Sequence, residues 1–125
     1  MKNTPFAWIA TVTLTLASVA AHAADMPKEL LGRYVSESGT CTDNQKAFKE
    51  TGMWDGVTVE KSGVSFIESS CDAHRVSKNG NSFAMHFKCS GEGEEWDVKS
   101  TYKLSGSVLT ISTKEGSERF KRCGK

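Results

Sequence analysis

The residues of this chain best suited to chemistry are four cysteines, two histidines and a knot of carboxylates: Cys41, Cys71, Cys89, Cys123, His74, His86, Glu92, Glu94 and Glu95. The histidines, with Asp72 close by, could begin a metal site. Zinc takes three or four ligands in fixed geometry, and the sequence has no HExxH, no CxxC and no further histidine outside its leader. Hydrolysis by a serine would need His74 or His86 as base beside an orienting carboxylate, and no GxSxG elbow is present. An even cysteine count in an exported chain reads as two disulfides, not reactive thiols. The sequence therefore predicts no enzyme, no metal and no cofactor, and the histidines read as polar residues on a solvated sheet face.

Two turns are less ordinary. In Cys89-Ser90-Gly91-Glu92-Gly93-Glu94-Glu95-Trp96, three carboxylates share a Gly-rich loop between a cysteine and an aromatic. That pattern suits an acidic contact surface for a basic partner, with Trp96 or Trp54 as anchor; the plainer alternative is a solvated turn with Trp96 in the core. Calcium is disfavoured because no DxDxDG-type spacing occurs. Ser105-Gly106-Ser107 is narrow enough to enter a cleft and offers hydroxyls to carboxylates there. The expected partner-binding residues are thus Glu92, Glu94, Glu95, Trp96, Ser105, Gly106 and Ser107, on loops at one end of the fold.

The N-terminus sets the compartment. Lys2, an uncharged apolar run from Phe6 to Val19, and Ala21-His22-Ala23 follow the order of a secretory signal. The expected division is a signal peptide over 1–23 and one secreted β domain over 24–125. The apolar run is shorter than the roughly 20 residues a spanning helix needs, so no membrane span is expected in the mature form, which would be periplasmic or extracellular. Beyond the leader the charges balance at 15 basic and 15 acidic residues, which argues against nucleic-acid binding, where a basic excess is usual. A domain of this size buries only about two-thirds of its unfolded surface, so disulfides would contribute substantially to its stability.

Stepping along the chain, Leu30–Ser36 has strand character, and Thr42–Thr51 is the best helix, with Thr42 or Asp43 as cap and Gly52 as stop. From Gly56 onward short alternating runs are separated by turn residues. Lys78-Asn79-Gly80-Asn81 is the strongest hairpin signal, read as a type I′ turn on Asn79-Gly80. Trp96, Val98, Ser100, Tyr102 and Leu104 share one face of a longer strand. Short loops force antiparallel neighbours, and a meander of seven or eight strands leaves two edges open unless it closes. The expected fold is all-β: a small antiparallel meander forming a barrel or curled sheet, with two disulfides and one short N-terminal helix plugging an end. Four cysteines allow three connectivities. The hairpin puts Cys71 nearly opposite Cys89 at its open end, within disulfide reach, which leaves Cys41 with Cys123 as the expected second pair.

Leu30-Leu31-Gly32-Arg33-Tyr34 resembles the opening of calycin-type barrels such as lipocalins. The resemblance implies an aromatic early in the first strand, covered by a basic residue of the last, here Arg119 or Arg122. Size, secretion and cysteine use also resemble bacterial periplasmic inhibitors of chicken-type lysozyme. Ser105-Gly106-Ser107-Val108-Leu109 is similar to their inhibitory loop, with Leu109 in the place of its tyrosine. These resemblances imply a protein-binding module, most concretely an inhibitor of a basic cell-wall hydrolase. The alternatives are an immunity protein against a periplasm-targeted toxin, or a small-ligand carrier. Phe83, Met85, Phe87, Trp96, Val98 and Leu109 line little room for a carrier's cavity.

Overall fold

The computed structural model describes residues 24–124; the segment 1–23, expected to be a signal peptide, lies outside the described residues. Eight strands form a closed antiparallel barrel in chain order, β1 (Gly32–Ser36), β2 (Val57–Glu60), β3 (Gly63–Ser65), β4 (Ser70–Asn79), β5 (Ser82–Gly91), β6 (Glu94–Ser105), β7 (Val108–Thr113) and β8 (Gly116–Gly124). Closure comes from β1 against β8, with Tyr34 opposite Arg122 and Ser36 opposite Phe120. Both expected disulfides are present, Cys71–Cys89 across β4 and β5 and Cys41–Cys123 between the helix start and β8, and no cysteine is left free. No helix among the described residues is long and apolar enough to cross a membrane.

The alternation read from the sequence sets the inner face. Phe83, Met85, Phe87 and Cys89 of β5 are buried, while Ala84 and Lys88 between them are exposed. Tyr34, Phe87, Tyr102, Leu30 and Leu109 are the largest side chains sealed from solvent. Phe87 and Tyr102 pack with ring centroids 5.6 Å apart. The interior is filled by these side chains, as in small barrels.

The helix α1 (Cys41–Thr51) begins one residue earlier than expected. Thr40 is its cap, accepting from the Asp43 N–H at 3.2 Å, and Gly52 ends it in the left-handed conformation. It does not plug the barrel. None of its residues is buried, and Phe48 lies under the guanidinium of Arg33, on the outward face of β1. Its polar sequence, TDNQKAFKET, supplies too little apolar surface to seal a core. The plug is the segment before β1. Met26 and Leu30, the latter closing a single 3₁₀ turn (Lys28–Leu30), both join the core. The Met26 N–H donates to the Lys61 carbonyl in the β2–β3 turn.

One guanidinium locks this plug. Arg122 donates to the carbonyls of Glu29 and Leu31 and, at 2.8 Å, to the Tyr34 hydroxyl, and it sits 5.4 Å from the Tyr34 ring centre. Of the two basic residues expected to cover Tyr34, Arg122 does so; Arg119 instead pairs with Glu37 at 3.4 Å. The Tyr34 hydroxyl in turn donates a hydrogen bond to the Leu30 carbonyl at 2.8 Å. Burial pushes this hydroxyl above its ordinary value, with Arg122 pulling partly the other way. Tyr102 is raised further, by burial alone.

The β4–β5 turn corrects a detail. Asn79 pairs with Ser82, so the turn residues are Gly80 and Asn81, with positive φ at Gly80 only. That is the II′ pattern, which asks for glycine at its first central position.

Candidate site at the open end of the barrel

Chain direction sorts the connections into two ends. The plugged end has the short β2–β3, β4–β5 and β6–β7 turns. The other, open end has the β1–α1–β2 connection, the β3–β4 loop and the β5–β6 and β7–β8 turns. The strands are unequal at this second end. β6 pairs with β5 along Glu94–Lys103, but with β7 only along Thr101–Ser105. The β5–β6 hairpin therefore projects past the β7–β8 turn.

The tip of this hairpin is a two-residue turn, Glu92–Gly93, with φ of 50° and 78°. Positive φ at both central residues is the I′ geometry that matches strand twist. Glu92 is the sole non-glycine with positive φ among the described residues, a conformation costing a side chain about 1–2 kcal/mol. The base of the hairpin is held from the side. A Cβ on Gly91 would lie 2.6 Å from the Glu68 carbonyl, so the β3–β4 loop can press against the hairpin only because residue 91 is glycine.

The segments at this end carry exposed apolar residues in two groups: Met53, Phe66 and Ile67 line a cleft with Arg33, Phe48, Thr58 and Glu60 on the outer wall, and Trp96 borders others. The exposed large apolar residues are Met53 (54%), Ile67 (46%), Trp96 (40%) and Phe66 (36%). Met53 lies in the connection entering β2, Phe66 and Ile67 in the β3–β4 loop, and Trp96 near the start of β6. All four thus belong to segments meeting strands at the open end. The exposed carboxylates Glu68, Glu92, Glu94, Glu95 and Asp97 lie on the β3–β4 loop and the β5–β6 hairpin. Trp96 borders two clefts. One, of about 400 Å³, is shared with Asp72, Lys88 and Glu95; the other, of about 680 Å³, runs past Val98 to Lys114 and Glu115 of the β7–β8 turn.

Trp96 occupies an inward register position opposite buried Cys89. It is nevertheless exposed, because β7 stops short of it. Its assignment to the barrel lining is thereby corrected. Trp54 takes the other role: it is buried and donates its indole N–H to the Tyr34 carbonyl at 2.9 Å, edge-on to Phe48.

The expected binding residues divide. Glu92, Glu94, Glu95 and Trp96 come together at the open end. Ser105, Gly106 and Ser107 form the β6–β7 turn at the opposite end of the same 12-residue strand, about 35 Å away along an extended chain. The expectation that both turns lie at one end is corrected. The serine turn is also tied down, since the Ser107 carbonyl accepts from the Arg122 N–H at 2.8 Å.

The histidines do not face each other. A bulge at His74 shifts the register, so Arg75 stands opposite His86. His86 Nε2 lies 3.9 Å from Asp97 Oδ1, beyond hydrogen-bond reach. Among the described residues, no three His, Cys, Asp or Glu side chains cluster as metal ligands would.

Sequence reasoning missed Met53, Phe66 and Ile67 as surface, and Asp97 as part of the acidic group. The overhang that exposes Trp96 had a signal: a strand read as Trp96–Leu104 cannot be fully covered by one read as Val108–Ser112. No family model matches the chain, and no curated protein or solved structure matches it either.

Proposed function

We propose that the protein is an exported protein-binding module that docks a basic partner on the open end of its barrel, most concretely a lysozyme-like cell-wall hydrolase that it inhibits. The observation carrying this reading is the coincidence of exposed Trp96 with Glu92, Glu94, Glu95 and Asp97 on the projecting β5–β6 hairpin. Exposed aromatics supply contact area, and clustered carboxylates raise the association rate with a basic enzyme in a salt-dependent way. Glu92 adds support, because an acidic residue is kept where glycine or asparagine would be less strained. The filled interior argues against a carrier. Two disulfides fit folding in an oxidising space, consistent with a periplasmic or secreted protein cleaved near Ala23.

The test is an activity assay with the oxidised protein against chicken-type, goose-type and invertebrate-type lysozymes. Inhibition of one of them near equimolar ratio is expected. If none is inhibited at a large molar excess, the hydrolase version fails. Export is checked separately: the mature N-terminus should be Ala24.

A further inference from the structure

The overhang of β6 leaves backbone groups without a neighbour, and the hairpin rules identify them. In a hairpin closed by two residues, the pair flanking the turn is hydrogen-bonded, and bonding then alternates. Gly91 and Glu94 flank the β5–β6 turn. Glu94, Trp96, Val98 and Ser100 therefore bond towards β5. Ser105 and Val108 flank the β6–β7 turn, so Ser105, Lys103 and Thr101 bond towards β7. The two turns agree on one alternation. By its continuation, the N–H and C=O groups of Glu95, Asp97 and Lys99 point to the side where β7 is missing. Among the described residues, no backbone hydrogen bond outside the strand ladders involves them.

We propose that this edge receives an extended segment of the basic partner as an added antiparallel strand, the arrangement used throughout this sheet. The proposal rests on the binding function above and gives it a mode. Such a strand makes its main-chain bonds to Glu95, Asp97 and Lys99, and side chains follow from register. Residues directly opposite Glu95 and Asp97 lie on the carboxylates' face and are basic. Residues between them lie on the face of Trp96 and Val98 and are apolar. The recognised segment therefore alternates basic and apolar residues. A second copy of the chain is the rival occupant: antiparallel self-pairing centred on the edge sets Asp97 against Asp97, which is destabilising, but also Glu95 against Lys99 twice, so a peptide-free dimer is one outcome of the test. The same charges guard the edge against indiscriminate pairing.

The test uses the oxidised protein and a capped seven-residue peptide, Val-Ser-Val-Lys-Val-Lys-Val, whose serine falls opposite Lys99 and whose lysines fall opposite Asp97 and Glu95 in antiparallel register. Two N-methylated versions accompany it, one methylated on the lysines and one on the valines. The lysine amides are those that face β6. Binding of the parent peptide is expected to slow amide exchange at Glu95, Asp97 and Lys99. Methylation on lysine should weaken binding at least tenfold, and methylation on valine should change it little. Asp97→Pro removes one outward N–H at an edge position where proline is tolerated. It should weaken binding more than Asp97→Asn, which removes only the charge. Equal binding of the two methylated peptides, or protection confined to other residues, overturns strand addition. So does a dimer that already protects these amides without peptide. Hydrolase inhibition that survives in Asp97→Pro also overturns it while leaving the binding function standing; absent inhibition by the unmodified protein, with intact peptide binding, does the reverse.

Discussion

The two ends of this barrel are built from the same kinds of residue put to opposite use. At the plugged end, apolar Met26 and Leu30 turn inward and a single guanidinium satisfies Tyr34 and two plug carbonyls. The connections there are tight turns whose tips carry no carboxylate: Lys61–Ser62, Gly80–Asn81 and Gly106–Ser107. At the open end, apolar Met53, Phe66, Ile67 and Trp96 turn outward on segments that also carry carboxylates. One end spends its apolar surface on stability and the other keeps it available. A strand twice as long as its neighbour creates the difference, since β6 has 12 residues and β7 has 6.

The disulfides carry the largest expected effect on stability. Cys41–Cys123 closes a separation of 82 residues and Cys71–Cys89 one of 18. In the chain-entropy view their removal costs about 4.5 and about 3 kcal/mol respectively. Denaturant melts of Cys41→Ala/Cys123→Ala and Cys71→Ala/Cys89→Ala proteins should rank them in that order. A larger loss from the Cys71–Cys89 pair would mean that its place in the core outweighs loop closure.

The plug comes next. Leu30→Ala empties a fully buried position and should cost about 3 kcal/mol, with no change in the association rate of a partner at the far end. Slower association in that variant would show that the two ends are not independent.

Alkali probes the same region without mutation. The chain has two tyrosines, and both are raised above the ordinary value of 10.0 by burial. The folded state holds protons that the unfolded state releases. The stability from this source is complete below about pH 10 and is lost as pH rises through the folded values. Ultraviolet absorbance at pH 10 should therefore show less phenolate in the folded protein than in the unfolded chain, and further alkali should release it together with unfolding. Half-ionisation near pH 10 in the folded protein would contradict the burial of Tyr34 and Tyr102.

The smallest effect is the sharpest. Glu92→Gly relieves a left-handed side chain and should raise stability by about 1 kcal/mol, while slowing association with a basic partner. A variant that is both more stable and undiminished in association would remove the functional reason for Glu92.

Much of the barrel was legible in the sequence because period-2 alternation and turn residues are local signals. Phe83, Met85 and Phe87 announce an inward face, and the Lys78–Asn81 turn brings Cys71 within one residue of Cys89, the bulge at His74 completing the register. The plug was not legible: Met26 and Leu30 have no period, and their burial depends on Arg122, more than 90 residues away in the chain. The helix was misplaced for a related reason, since capping chemistry shows where a helix starts but not which wall it leans on. For the site, the acids and Trp96 were visible as composition. Their separation from Ser105–Ser107 follows from strand lengths and direction, which only the assembled sheet displays.

The proposed binding belongs to the open end. Its most direct test is the association rate of the oxidised protein with a chicken-type lysozyme at low and physiological salt, for three proteins side by side. Reversing Glu92, Glu94 and Glu95 to Lys should slow association at least tenfold at low salt and flatten its salt dependence. Replacing Ser105 and Ser107 with Trp should leave both rates unchanged. A complex that survives the charge reversal but dissociates rapidly when the serine turn is enlarged would contradict the account and move the binding face to the plugged end.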